Sequence, residues 1–476
     1  MDAPPASDSL ESREWGVDAR FFAGLQAGST PRRMLELPTS SSRKVWPLLG
    51  FEVRAEFGAF RIDVAPRLED RLLDDPDWPA RERADDRGIA LRTPAARLVG
   101  EWRWARIELG EVEGNWGPAG LPGLLVSPLG YSRRGLGFSV GPEVLRLQWR
   151  TEQLSPEPSS ATGDTAPRWF TVHRLRWRPS DRLEVAAWEA MITSEGDGID
   201  PARLNPLALY TFGQQFGIGD ERNTSFGFDL AWRAAETVWL ETQILVDDVV
   251  IWNADENPYP HRFGFTAQAR GLPDGGWGWR AWTTGLSALA LNTFDPEEAF
   301  VDDGAGLGRI RPDHLAAGAE IRLHFGDGPD SGSQTSGHRG LTQETWAAGT
   351  PMDGWMPDPN RRGPVGPGML PGIPGRLRLD LGVRWRRQGI RRFDDPFPDP
   401  GTGPDVPDLP TFSPAIEAEL FALHSGLGWS WGPLELAGEA QLQHRRFPNT
   451  GDPSEWGVEA RVQLLWRVGT WSYRGS

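Results

Sequence analysis

Acidic and basic residues of opposite sign recur two positions apart along this chain. Glu52, Arg54 and Glu56 form one set, and Arg61, Asp63 and Arg67 another. Glu101 and Arg103, Arg106 and Glu108, Glu320 and Arg322, Arg378, Asp380 and Arg384, and Glu459 and Arg461 continue the pattern. A spacing of two places each set on one face of a β-strand. Charges withdrawn from water have to pair, so neighbouring strands are expected to join these residues into Arg–carboxylate ladders. Such a face has two readings. It is the selectivity lining of a passage, or it is wall architecture around a filled interior; the second is expected.

Other chemistry is less marked. The seven histidines, at positions 173, 261, 314, 324, 338, 424 and 444, show no HExxH spacing, and there is no GxSxG elbow or P-loop. A non-enzyme is expected. The absence of cysteine rules out disulfides and thiolate metal sites. Asp295, Glu297, Glu298, Asp302 and Asp303 carry the hard oxygens that Ca²⁺ prefers, but not in EF-hand spacing. A solvated acidic loop without a cofactor is expected there. Carbohydrate binding uses aromatic faces against sugar CH groups, with amides and carboxylates on the hydroxyls. Asn115 and Trp116, and Trp252, Asn253, Asp255 and Glu256, have those residue types in loops. For each Trp the plainer reading is loop packing or a place in an interfacial aromatic belt.

The elements that position these residues are strands. In Glu455 to Val468, residues Trp456, Val458, Ala460, Val462, Leu464 and Trp466 share one parity, with Gly457, Glu459, Arg461, Gln463 and Arg467 on the other. One apolar face ending in Trp at both ends, opposite a charged face, suits a strand between lipid and a polar lumen. The pattern recurs at Trp15 to Gln26, Phe51 to Phe57 and Phe60 to Leu68. It then appears in pairs: Ala96 to Trp104 with Ala105 to Val112; Leu136 to Val140 with Val144 to Leu154; Trp169 to Trp177 with Leu183 to Ile192. Ser225 to Arg233 pairs with Val238 to Val246, Arg262 to Arg270 with Trp277 to Leu291, and Pro414 to Leu423 with Leu427 to His444 across Ser425-Gly426. Ala317 to Phe325 and Arg376 to Gly389 flank a long insert. The expected fold is all-β: a transmembrane antiparallel β-barrel of about 18 strands with short periplasmic turns and long extracellular loops.

Connections alternate short and long, except that the Gly/Pro-rich 326–375 stretch falls where a short turn belongs. It reads as a periplasmic or lumenal insert. Residues 1–13 read as a disordered lead, 14–468 as one barrel and 469–476 as a tail. Both termini are expected in the periplasm. Trp102, Trp104, Trp177, Trp232, Trp239, Trp277, Trp279, Trp429 and Trp431 sit beside short turns, as a girdle at one membrane interface requires.

Composition agrees. There are 24 Trp among 476 residues, with 57 Gly and 42 Pro, and a mean hydropathy of -0.46. No apolar run is long enough for a spanning helix, whereas a barrel strand turns only alternate residues to lipid. The net charge of -16 argues against a nucleic-acid partner. The opening MDAPPASDSL has no basic or apolar region of a signal peptide.

The loop Asn115-Trp116-Gly117-Pro118 runs on to Leu121-Pro122-Gly123-Leu124-Leu125-Val126-Ser127-Pro128. Further on come Leu204-Asn205-Pro206-Leu207, Asn223, Phe228-Asp229, Glu241 and Asp247-Asp248. These residues resemble the Wzi-type capsule-assembly outer-membrane proteins, by motif over about 95–250 and by strand number throughout. The resemblance implies an outer-membrane barrel, largely blocked by its loops, that holds capsular polysaccharide on the cell surface. Its implied partners are the lipid bilayer, lipopolysaccharide and the surface polysaccharide, as a monomer or small homo-oligomer. The archetype carries a periplasmic helical bundle before its first strand, whereas here the first strand is expected near residue 15. The charged lumen face favours a porin or solute channel instead. A structural subunit of an outer-membrane or surface complex is the third reading.

Overall fold

The computed structural model describes residues 15–28, 45–74, 88, 90–112, 114–127, 132–158, 165–194, 222–248, 260–271, 277–293, 295–302, 305–308, 311–325, 376–392, 395, 397–398, 410–449 and 452–475. The lead 1–13, the insert 326–375 and the loop positions Trp252, Asn253, Asp255, Glu256 and Asp303 lie outside these residues.

The strands are β1 (Trp15–Gly28), β2 (Val45–Phe57), β3 (Phe60–Val64), β4 (Arg67–Glu69), β5 (Leu91–Arg92), β6 (Ala95–Glu101) and β7 (Ala105–Val112). Next come β8 (Arg133–Val140), β9 (Leu145–Pro158), β10 (Thr165–Ser180), β11 (Leu183–Thr193), β12 (Arg222–Ala235) and β13 (Val238–Asp248). They continue with β14 (Arg262–Gly271), β15 (Trp277–Leu286), β16 (Val301–Asp302), β17 (Ala305–Gly306), β18 (His314–Phe325) and β19 (Arg376–Gly389). The last are β20 (Ile416–Trp431), β21 (Leu434–Arg446) and β22 (Glu455–Gly475). All pairings are antiparallel, neighbouring staves follow chain order, and β1 pairs with β22 to close the sheet. Closure leaves no sheet edge running the length of the wall.

Two staves are each broken in the middle. β3 and β4 both pair with β2, and their partners β6 and β5 are split at the same level. Pro66 lies at the break, where a missing N–H removes one ladder bond. Counting each broken pair as one stave, and leaving aside the β16–β17 hairpin in a loop, gives a barrel of 18 strands.

The alternation is physical. On β10, Leu175 and Trp177 are about half exposed, whereas Arg174 and Arg176 on the other parity are buried. The outer face is therefore the apolar one, as a lipid contact demands. Trp102, Trp104, Trp177, Trp232, Trp277 and Trp431 are exposed beside short turns.

Four expectations need correction. First, the last hairpin turns at Gly432-Pro433, not at Ser425-Gly426. Ser425 pairs with Leu381 and Ala440 in the middle of unbroken strands, and it is Gly432 that adopts the left-handed backbone a tight turn needs, with φ 55. Second, 469–475 is not a tail. It is the end of β22, held by β1 from Trp15↔Gly475 onward. Third, Trp239 is no girdle residue. It lies on the inner parity, under the guanidinium groups of Arg233 and Arg270. Fourth, Arg103 is not on the wall. It sits in the exposed turn between β6 and β7, beside the Trp104 ring.

Candidate functional site

The inner face of the barrel divides into two arcs. Around β2, β3, β6 and β7 it is ionic. Asp63 accepts from Arg54 at 3.0 Å, Arg61 at 3.1 Å and Arg97 at 2.9 Å. Glu108 faces Arg97 at 3.5 Å and Arg106 at 2.9 Å, and Glu52 meets Arg67 at 2.9 Å. Glu56, across from Arg61 in register, is exposed at the rim. The same chemistry returns across β18 to β22. Asp380 takes Arg322 at 2.6 Å and Arg378 at 3.1 Å, and Glu320 takes Arg280 at 2.8 Å. Arg461 bonds Glu439 at 2.7 Å and Arg445 bonds Glu459 at 2.9 Å. Some neighbours two apart on one strand pair with each other, as Arg61 with Asp63, Arg106 with Glu108 and Arg378 with Asp380 do, whereas Glu459 and Arg461 reach to the next strand for their partners. Long arginine side chains span either separation, along one strand or across to the next.

The other arc, β9 to β15, is apolar toward its long-loop end. Leu154, Phe170, Val172, Trp188, Ala190, Ile192, Leu245 and Leu286 form one buried cluster with residues that belong to loops. Leu124, Leu125 and Val126 enter it from the 114–127 loop. Ala290, Leu291, Phe300 and Leu307 enter it from the segment between β15 and β18. Both loops therefore fold into the lumen. Apolar loop side chains and apolar wall side chains leave water together, which is the driving force for docking.

Wall side chains then bind the backbone of the docked loops. Gln243 donates to the Trp116 carbonyl at 3.1 Å and accepts from the Leu124 N–H at 2.8 Å. Gln268 donates to Ala119 O at 2.9 Å, and Arg280 to Gly120 O at 2.8 Å. Arg168, with no exposed surface, donates to Glu297 O, Ala299 O and Ser155 O at 2.6, 2.5 and 3.3 Å. Arg133 bonds Asp302 at 3.0 Å, Glu152 at 3.3 Å and Leu307 O at 3.1 Å. A buried loop carries carbonyls that need donors, and these side chains supply them.

Of the residues expected to contact sugar, Asn115 and Trp116 are described, and both make contacts within the protein. The Asn115 amide oxygen accepts from Gly117 and Gly123 N–H at 3.0 and 2.8 Å, and its Nδ2 donates to Leu121 O at 2.8 Å. Its hydrogen-bonding groups fold the loop on itself. The Trp116 ring packs against the apolar cluster with the Arg174 guanidinium over it. Of the loop acids, Asp302 is likewise engaged. Asp302 accepts from Arg133 and from the Ser155 N–H at 2.9 Å. Burial pushes its carboxyl up, but Arg133 and the Ser155 bonds outweigh that and hold it below its ordinary value. Among the described residues no three acids or histidines converge as a metal site.

Sequence reading missed Arg133, Arg168, Gln243 and Gln268. Arg133 and Arg168 lie just outside the stretches that alternation marks as strand, and the two glutamines are uncharged residues within alternating strands. No local signal distinguishes a wall glutamine that faces water from one that holds a loop.

No protein-family model matches this chain, and no characterised protein matches it by sequence. Solved structures do. Wzi, described as an outer-membrane protein involved in group 1 capsule assembly in Escherichia coli and a carbohydrate-binding β-barrel, superposes with a TM-score of 0.51 at 12% identity, over 96% of this chain and 85% of that one. OccAB4 of Acinetobacter baumannii gives 0.47 at 9% identity, over 98% and 100%. OprD of Pseudomonas aeruginosa gives 0.43 at 11% identity, over 96% and 94%. At such identities the likeness is one of fold, and the chain has the closed antiparallel fold of the outer-membrane barrels.

Proposed function

We propose that this chain is an outer-membrane barrel closed by its own loops, which binds surface polysaccharide from its long-loop side. The short turns, and the described ends of the chain beside them, then face the periplasm. The outer apolar face contacts lipid and lipopolysaccharide. The observation that carries the reading is the docking of the 114–127 loop and the β15–β18 segment inside the lumen. A permanent solute pathway has no use for a buried apolar cluster tied to the wall by Gln243, Arg168 and Arg133. The polysaccharide part is supported by the superposition on a carbohydrate-binding barrel.

A solute channel is the second reading. It is favoured by Arg54 and Arg322, whose side chains remain 49% and 38% exposed on the inner face. Planar-bilayer recording from the refolded, heat-modifiable protein separates the two. Silence is expected, and steady ohmic openings would establish the channel instead.

A further inference from the structure

Three rows of inward-facing residues cross the wall between β15 and β22, at right angles to the strands. One runs Trp282, Gly318, Arg384, Ala422, Gln443. The next, on the short-turn side, runs Arg280, Glu320, Gly382, His424, Gln441. The third runs Arg322, Asp380, Gly426, Glu439, Arg461.

The two glycines shape this surface. A Cβ on Gly318 would fall 2.8 Å from the Trp282 ring, so the indole lies across that glycine toward Arg384. A Cβ on Gly382 would fall 2.5 Å from His424 Cε1, so the imidazole lies across the next row. An aromatic face beside a guanidinium and an imidazole is a platform of the kind that stacks on the CH face of a sugar.

Hydrogen-bonding capacity is left over here. His424 is 8% exposed and Gln441 has no exposure, yet His424 Nδ1 and Gln441 Oε1 have no hydrogen-bond partner. They are cross-strand neighbours in one row. Buried polar atoms are ordinarily satisfied, so two adjacent orphans mark a place for a bound hydroxyl. Charge is left over as well. Among the described residues Arg384 meets no carboxylate within 4.0 Å. The carboxylates around it are engaged by other arginines: Glu320 by Arg280, Asp380 by Arg322 and Arg378, and Glu439 by Arg461. Four arginines, Arg280, Arg322, Arg384 and Arg461, face three acids across these rows, an excess of positive charge that suits an anion.

We propose that this stretch of wall is a subsite for an acidic sugar residue. Its carboxylate rests on Arg384, its ring on the Trp282 face, and its hydroxyls on His424 Nδ1 and Gln441 Oε1. The subsite rests on the polysaccharide reading above and gives it a substrate class, a uronic-acid-containing glycan. Arg280 joins it to the docked loop, because the same guanidinium binds Glu320 and the Gly120 carbonyl.

The test is calorimetric titration of the refolded full chain in detergent with a galacturonic acid hexamer and with maltohexaose. The wild type is expected to prefer the acidic hexamer. Arg384→Gln is expected to weaken that binding at least about tenfold, the scale of one charge-assisted hydrogen bond, and to leave maltohexaose affinity in place. Trp282→Leu is expected to weaken both ligands. Arg384→Lys keeps the charge and should fall between wild type and Arg384→Gln. It also serves if the glutamine variant does not refold. Wild-type affinity for the acidic hexamer in Arg384→Gln or Arg384→Lys and in Trp282→Leu would overturn the subsite and leave the surface-polysaccharide reading standing. No binding of either hexamer by the wild type would overturn both.

Discussion

The two arcs of the inner wall obey the same period-2 rule and carry opposite chemistry. Across β2 to β7, Asp63 alone gathers three arginines. Across β9 to β15, the same parity presents Phe170, Val172, Ala190 and Ile192 to a loop. The difference follows from what each arc faces. A wall that meets apolar loop side chains gains by shedding water. Where no described loop docks, the wall keeps its charges and pairs them along and between its strands. The contents of the lumen, rather than the barrel, set the chemistry of its inner face.

The comparison breaks most sharply at Arg168. Replacing it with Leu removes one charged donor from three carbonyls, a loss of about 3–5 kcal/mol. The β15–β18 segment should then undock, and channel openings should appear in a bilayer where the wild type shows none. Leu124→Asp attacks the other loop by placing a carboxylate in the apolar cluster, at a cost of about 3 kcal/mol or more. Limited proteolysis should cut near residue 124 in the variant and spare the wild type. If both variants stay closed and protected, the apolar arc is not what holds the lumen shut.

The charged arc should respond differently. Asp63→Asn leaves Arg61 and Arg97 facing one carboxylate fewer, but Arg54 is half exposed and partly screened. A loss of about 1–3 kcal/mol is expected, seen as a lower temperature for the heat-modifiability shift, with the barrel still silent in a bilayer. Acid should act on the plugged arc through Asp302. Its carboxyl is held below its ordinary 3.8 in the folded protein, so its bond to Arg133 stabilises docking above that ordinary value. The stabilisation is lost as pH falls through the lowered value. Proteolytic protection of the 287–308 segment should therefore hold at neutral pH and fail first in strong acid. The smallest effect belongs to Glu111. Its pair with Arg134 is 2.7 Å long, but Arg134 is 78% exposed, and Glu111→Gln should change stability by less than about 1 kcal/mol.

Local rules made much of this fold legible. Alternation marked nearly every stave, because the side-chain period of a strand is two whatever surrounds it. Short turns were legible where Gly stood between alternating runs, as at Gly58-Ala59. They were misread at Ser425-Gly426, where two small residues stand in mid-strand inside continuous ladders to β19 and β21. The ion pairs were legible as a class, but Glu459 and Arg461 each found a cross-strand partner that only register could name. The tryptophans were half legible. Trp177 and Trp239 look alike beside their turns, yet one faces outward and the other stacks under two arginines.

The sequence by itself determined a closed antiparallel wall with an apolar outside and a charged inside, since both follow from residues two apart on one chain. Only the tertiary structure decided what fills that wall. Asn115 became a clasp for its own loop, Arg133 and Arg168 became anchors, and Trp282, Arg384 and His424 came together across β15, β18, β19 and β20. Each of those outcomes depends on residues distant in sequence meeting in the lumen, and no local pattern of apolar and polar residues records which loop folds inward.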